Sequence, residues 1–137
     1  MNSINRRTKD YVKMRTRDRI RGSLMAGAAG DALGYAVEFM SRGSILTKYG
    51  FRGIAKFNLT REGKALISDD TQMTLFTACG MLMGVTRGYM RGIGGRPEKY
   101  VDKAYLDWYY TQTGKNSRPS VTWLRDLPEL AHRRAPG

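Results

Sequence analysis

The sequence predicts an all-α fold. Three segments, residues 17–40, 69–85 and 98–111, carry small and apolar residues at helical spacing. Only one short stretch, residues 54–59, favours an extended conformation. With 137 residues, of which 41% are hydrophobic, the chain fits one domain of ordinary size.

In the first predicted helix, Gly27, Gly30 and Gly34 recur at intervals of three and four residues. This spacing places them on one face of a helix. Each glycine costs about 1 kcal/mol relative to alanine in a helix interior. Close approach of a neighbouring helix or of a ligand would explain that cost, and both explanations stay open.

Two carboxylates, Asp31 and Glu38, stand seven residues apart near the end of this segment. A continuous helix would place both on one side, facing a common cleft. If the helix ends near Gly34, Glu38 instead lies on a loop over the same site. Asp31 alone also fits a hydrogen bond between helices.

Residues 41–67 interrupt the helical period with several glycines and predict an irregular loop that carries contacts. The second helix then begins after Ser68, a favourable N-cap residue. Its first two residues, Asp69 and Asp70, repel each other unless a cation lies nearby. Carboxylate and hydroxyl oxygens suit Mg²⁺, whereas helix capping explains one of the two aspartates better than both.

A basic, glycine-rich stretch, residues 87–96, predicts a flexible connection whose arginines could contact phosphate. In the third helix, Tyr105 and Trp108 belong to an apolar stripe and are predicted core residues. Two short helices are expected near residues 121–127 and 128–134. The single cysteine, Cys79, lies in an apolar pattern and is predicted to be a core residue.

The formal net charge is +12, and the positive charge is concentrated in residues 1–21. This distribution favours contact with a polyanion, but a solvated basic extension explains it better, because Tyr11 is the single aromatic residue among these charges. The sequence shows no secretory signal or membrane-spanning segment, so we expect a soluble, cytoplasmic protein without a membrane partner.

Two motifs together resemble the N-terminal half of the ADP-ribosylglycohydrolase family. The first is Gly30-Asp31-Ala32-Leu33-Gly34 followed by Glu38-Phe39, and the second is Ser68-Asp69-Asp70-Thr71-Gln72-Met73. The resemblance covers residues 19–137, which suggests a partial family domain preceded by a basic extension, residues 1–18. It implies the N-terminal portion of a compact, multi-helix, all-α fold.

The resemblance implies hydrolysis of the bond between the anomeric carbon of ADP-ribose and an acceptor on a protein. Ser68, Asp69 and Asp70 match the family's N-terminal metal-binding triplet at a site for two Mg²⁺ ions. It also implies a catalytic function for Asp70 and a gating or acid–base function for Glu38.

Asp31 is expected to brace the cleft or its metal-bound water. The resemblance further implies that Gly30 and Gly34, with Glu38, line the substrate cleft.

The family's later Asp-x-Asp-Thr/Ser segment has no counterpart after Asp70. We therefore expect an incomplete metal site, with the second Mg²⁺ position doubtful, and a missing C-terminal half or self-association through exposed apolar faces. The alternative function is a non-catalytic module that binds ADP-ribose, a nucleotide or nucleic acid.

Overall fold

Four helices follow one another in the computed structural model, which describes residues 3–92, 96–115, 118–132 and 134. They are α1 (Ser3–Tyr35), α2 (Arg42–Tyr49), α3 (Asp69–Arg91) and α4 (Glu98–Thr113). Two short 3-10 turns, Trp123–Asp126 and Pro128–Leu130, follow α4. Within the described ranges, extended structure is limited to an isolated antiparallel bridge between Leu59 and Ala65. The all-α prediction is confirmed.

Helix α1 is longer at its start and shorter at its end than the periodicity predicts. It ends at Tyr35, and residues 36–39 form a turn in which the Val37 amide donates to the Gly34 carbonyl at 2.9 Å. Residues 3–18 of the predicted extension belong to this helix, and residues 10–23 are exposed throughout. The proposed domain boundary at residue 18 stays a prediction.

Helix α2 corrects the prediction that residues 41–67 are irregular throughout. The Ser41 hydroxyl accepts a hydrogen bond from the Ser44 amide at 3.2 Å, which caps the start of α2. At its end, the Gly50 amide donates to the Leu46 carbonyl at 2.9 Å, with Gly50 at φ 78°. These local caps stabilise a helix of eight residues without any fully buried side chain, so apolar periodicity gave little sign of it.

Helices α3 and α4 pack against each other at two glycines of α3. A Cβ atom at Gly80 would lie 2.7 Å from the Val101 Cα, and one at Gly84 would lie 2.7 Å from the Pro97 Cα. Glycine therefore permits a backbone contact that any side chain would obstruct.

Helix α3 also extends to Arg91, so residues 87–91 of the predicted connection are helical. Residues 93–95 of that connection lie outside the described residues.

The apolar core lies between α3, α4 and the two 3-10 turns. Phe76 and Ala104 are completely buried at its centre, and Tyr105 and Trp108 pack against it, which confirms the predicted core stripe of α4. Cys79 is buried in the same cluster, as predicted. Burial, followed by the negative charge of Asp107, raises the pKa of the Cys79 thiol.

Asp107 holds the segment after α4 against the core. One oxygen of its completely buried carboxylate accepts hydrogen bonds from the amides of Val121 and Thr122 at 2.8 and 2.7 Å. Its other oxygen lies 3.6 Å from an Arg118 nitrogen and 3.7 Å from an Arg125 nitrogen. Two cations and two amides therefore compensate the burial of this charge.

Gln72, also completely buried, forms a second polar connection between helices. Its Oε1 accepts hydrogen bonds from Trp108 Nε1 at 3.2 Å and from Gln112 Nε2 at 3.0 Å. Its Nε2 donates to the carbonyl of His132 at 3.1 Å. One side chain of α3 thus links α4 to the C-terminal segment.

A search of the described helices found none with the length and apolar character that crossing a membrane requires.

Candidate functional site

A cleft of about 290 Å³ lies between α1 and the first turns of α3. The α1 wall is one helical face, with residues at intervals of three and four, and the α3 wall is the face that begins at Asp70. Its lining residues are Ser23, Leu24, Gly27, Ala28, Asp31, Asp70, Thr71, Thr74 and Leu75. The cleft therefore brings the two sequence motifs together across 37 or more residues of chain.

Asp31 forms the direct connection between the two walls. Its Oδ2 accepts a hydrogen bond from the Ser68 amide at 2.9 Å and another from the Thr71 hydroxyl. Both donors belong to the start of α3, where backbone amides favour a negative charge. Asp31 thus fixes the N-terminus of α3 beside α1, which agrees with its predicted bracing of the cleft.

The surroundings of Asp31 change its acidity. Partial burial by itself raises the pKa of Asp31, but the hydrogen bonds donated by Ser68 and Thr71 outweigh it and hold the pKa below the ordinary value of 3.8. A folded-state pKa below the unfolded value means that the ionised carboxylate stabilises the fold. This stabilisation is complete above the unfolded-state pKa and is lost as the pH falls through the folded-state pKa.

Replacing Asp31 with asparagine should lower the free energy of unfolding by about 1 kcal/mol at pH 7, because hydrogen bonds to a charged acceptor are lost. The difference from the wild type should shrink as the pH falls below 3.8. Urea denaturation at pH 7, 5 and 3 measures it. Asp10→Asn, an exposed change on the same helix, is the control and should show little effect. A pH-independent difference for Asp31→Asn would contradict the assigned contacts.

The predicted metal triplet lies at the start of α3, but its three members have different surroundings. Ser68 is buried and caps the helix, with its Oγ accepting a hydrogen bond from the Asp70 amide at 3.1 Å. Asp69 is half-buried and does not line the cleft, whereas Asp70 is exposed and lines it. The capping explanation is confirmed for Ser68, and metal binding by the triplet stays a prediction.

The remaining predicted site residues lie away from the cleft lining. Glu38 is exposed on the turn after α1, which matches the alternative in which the helix ends near Gly34. Gly30 and Gly34 are exposed, and apart from the adjacent residues and the helix's own backbone no described atom lies within 4 Å of a Cβ built on either. Of Gly27, Gly30 and Gly34, Gly27 alone lines the cleft, and among the described residues no neighbouring helix packs closely against any of the three.

Thr71 and Thr74 are cleft residues that the sequence analysis did not identify. Both hydroxyl-bearing residues lie on the α3 wall with Asp70, and Ser23 adds a third hydroxyl from α1. Part of the signal was present in the helical register, because Thr74 stands four positions after Asp70 and three after Thr71, and these spacings place residues on one side of a helix.

The donor atoms of the cleft suit a hard cation but do not enclose one. Carboxylate and hydroxyl oxygens are the ligands that Mg²⁺ prefers, and Mg²⁺ commonly binds one or two carboxylates while retaining several waters. Across the part of the chain that the structure describes, no group of three or more His, Cys, Asp or Glu side chains is placed to hold a metal ion. Asp31 and Asp70 thus fit an open, partly hydrated site.

Comparison with known proteins agrees with the motif pair. The family model for ADP-ribosylglycohydrolase matches residues 13–136. The ADP-ribosyl-[dinitrogen reductase] glycohydrolase of Rhodospirillum rubrum is 42% identical over 59 residues, which are 42% of this chain and 20% of that protein. The alignment thus spans about one fifth of the relative's length. No solved structure shows significant similarity. Since the family model matches residues 13–136, which are most of this chain, the chain belongs to the ADP-ribosylglycohydrolase family.

Proposed function

We propose that this chain contributes the N-terminal part of a Mg²⁺-dependent hydrolase that removes ADP-ribose from an acceptor on a protein. The observation that carries the proposal is the α1–α3 cleft, in which the Asp31 carboxylate of one motif binds the Ser68 amide of the other. The family assignment supplies the reaction class, and the relative's name supports an ADP-ribosyl protein as substrate.

In this proposal, Asp70, Thr74 and Asp31 have different functions in the α1–α3 cleft. The exposed carboxylate of Asp70 is the acidic group open to a ligand in the cleft, and the hydroxyl of Thr74 lies one helical turn beyond it. Asp31 acts as a positioning residue, because its two hydrogen bonds fix the helix turn that carries Asp70. A bound Mg²⁺ would neutralise negative charge and orient water in the cleft.

The finer assignments belong to the same proposal. Ser68, Asp69 and Asp70 provide oxygens to one metal position, and Glu38 gates the cleft or transfers a proton from the turn that follows α1. Gly30 and Gly34 leave the backbone of α1 accessible to substrate, in keeping with the open space around both. The proposed setting is the cytoplasm.

Calorimetric titration of ADP-ribose into the full chain tests this function, first with Mg²⁺ and then with chelator. We expect Mg²⁺ to add a component of binding that the chelator removes and that weakens at least tenfold, or about 1.4 kcal/mol, in the Asp69→Asn/Asp70→Asn variant. The physical reason is that both substitutions remove anionic oxygen ligands that Mg²⁺ needs.

The matched control is Asp102→Asn/Glu129→Gln, which removes the same formal charge at two exposed positions outside the cleft. It should bind ADP-ribose as the wild type does. Absence of any Mg²⁺-dependent component of binding, or its equal loss in both double variants, would contradict a metal site at the start of α3. Circular dichroism of each variant separates loss of binding from loss of folding.

A second candidate function is contact with a polyanion through α1. Lys13, Arg15, Arg17, Arg19 and Arg21 are all exposed on this helix, and the Arg15 guanidinium lies 5.6 Å from the centre of the Tyr11 ring. Binding of single-stranded nucleic acid that weakens steeply with salt and ignores Mg²⁺ would support this function over the hydrolase.

A further inference from the structure

A second cleft, of about 250 Å³, lies at the other end of α3, where the helix meets the start of α4. We call it the basic cleft, and it is lined by Gly84, Arg87, Gly88, Arg91, Arg96, Lys99 and Tyr100. Four of these seven side chains are cationic and none is acidic. The lining therefore has a formal charge of +4.

The four cations lack protein counterions. Among the described residues, the salt bridges are Arg17–Asp18, Arg118–Asp107 and Arg125–Asp107, and none involves a residue of the basic cleft. The nearest acidic residues in sequence, Glu98 and Asp102, are exposed and do not line it. Among the described residues, no salt bridge therefore compensates the positive charge of this cleft.

The four cationic side chains of the basic cleft are unfavourably placed on their helices when no anion is bound. Arg87 and Arg91 stand four residues apart on α3, and like charges at this spacing repel each other. Arg96 and Lys99 flank the start of α4, where the positive end of the helix dipole disfavours cations. Only Arg91, in the last turn of α3, is placed favourably with respect to a dipole.

The shape of the cleft also suits a small ligand. Gly84 has no side chain, so the backbone at Pro97 approaches α3 and closes one end of the cleft. The Tyr100 ring packs beside Gly84 and is half-buried. Arginines can donate paired hydrogen bonds to phosphate oxygens, and lysine adds a point charge.

We propose that the basic cleft is a binding site for a pyrophosphate group, carried either by a nucleoside diphosphate or by inorganic pyrophosphate. A pyrophosphate brings several negative charges into a short length, which matches four cations around a cleft of this volume. Its charge relieves the repulsion between Arg87 and Arg91 and reverses the unfavourable dipole interaction at α4.

This site is separate from the α1–α3 cleft. The two clefts share no lining residue. Thr74 and Arg87 are thirteen positions apart on one helix, which corresponds to about 20 Å at 1.5 Å per residue. The proposal therefore does not depend on the hydrolase function, and each can fail without the other.

Calorimetric titration of inorganic pyrophosphate into the full chain, with chelator and at low salt, is the direct test. Chelator removes metal-dependent binding at the α1–α3 cleft. We expect one site, and at least tenfold weaker binding in the Arg87→Gln/Lys99→Gln variant. The control, Arg42→Gln/Arg52→Gln, removes the same charge at two exposed positions elsewhere and should stay within about twofold of the wild type.

Adenosine diphosphate in the same experiment distinguishes the two sources. If adenosine diphosphate binds more tightly than pyrophosphate, the ligand is a nucleotide whose base contacts Tyr100. If the two bind equally, the cleft recognises the phosphates alone. Equal weakening in the two double variants would overturn the proposal, because it would show a response to net charge only. Binding of a single-stranded oligonucleotide without binding of pyrophosphate would also overturn it.

Amide chemical shifts of the wild-type chain give a readout that does not require a folded variant. Pyrophosphate should shift the amide signals of Gly84, Gly88 and Lys99 and leave those of Gly27 and Ala28 unchanged. Saturating changes confined to α1 would place the anion on the basic helix and refute the basic cleft as its site.

Discussion

Replacing Asp107 with alanine should lower the free energy of unfolding by about 3–5 kcal/mol. The carboxylate is completely buried and accepts two backbone hydrogen bonds while facing Arg118 and Arg125. Its removal leaves the amides of Val121 and Thr122 unsatisfied and two guanidinium groups without their counterion. A loss of this size is a large fraction of the stability of an ordinary domain.

Urea denaturation followed by circular dichroism measures this loss through the transition midpoint. Asp107→Asn provides an intermediate test, because its amide oxygen still accepts backbone hydrogen bonds although the charge is gone. We expect it to lie between the wild type and Asp107→Ala. The control, Asp102→Asn, changes an exposed residue of the same helix and should stay within about 0.5 kcal/mol of the wild type. Equal midpoints for Asp107→Ala and Asp102→Asn would refute the assigned network.

Asp107 and Gln72 show where prediction from the sequence ends. Both are polar residues in helices, and polar residues usually lie on the solvent side of an amphipathic pattern. Their partners are backbone groups and side chains 11 or more residues away, as with the Asp107–Arg118 ion pair. Such contacts depend on how the helices pack, which the periodicity of either helix alone does not determine.

Local signals, in contrast, predicted the local structure well. The Ser68 cap and the helix that follows it are present, because a capping hydroxyl acts within three residues of itself. The buried stripe of α4 is present for a similar reason, since helical spacing alone places its members on one face. Helix α2 was missed because its stability comes from its two caps and not from an apolar face.

The candidate site was predictable in part. The sequence identified Asp31 and Asp70, and the structure places both on the walls of one cleft. It did not identify Thr71 as the hydroxyl that binds Asp31, because that contact requires α1 and α3 to cross near residue 31. It left open whether Glu38 faces the cleft from a continuous helix or from a loop over the same site, and because α1 ends at Tyr35, Glu38 lies on the turn that follows.

Glycine spacing drew attention to the wrong helix for close packing. Among the described residues, the regularly spaced glycines of α1 have open space around them, whereas Gly80 and Gly84 of α3 closely approach the backbone at the start of α4. Both helices contain glycines at an interval of four, so the sequence pattern does not distinguish them. Substitution of these glycines by alanine does distinguish the two helices.

Gly80→Ala should lower the free energy of unfolding by about 2 kcal/mol. The new methyl group would lie 2.7 Å from the Val101 Cα and 2.8 Å from the Tyr100 carbonyl oxygen. Backbone atoms cannot rotate away, so α3 and α4 must separate and loosen the core around Phe76 and Ala104. This strain exceeds the gain of about 1 kcal/mol that alanine brings to a helix interior.

Gly30→Ala is the matched substitution, because it makes the same chemical change on α1 where nothing lies within 4 Å of the new atom. It should raise the free energy of unfolding by up to about 1 kcal/mol, since helix propensity acts there without opposing strain. Urea denaturation of both variants compares the two signs directly. If Gly30→Ala also loses stability, the loss in Gly80→Ala cannot be attributed to helix packing at Gly80. Opposite signs would show that glycine on α3 serves packing, whereas on α1 it leaves a surface accessible at a cost in stability.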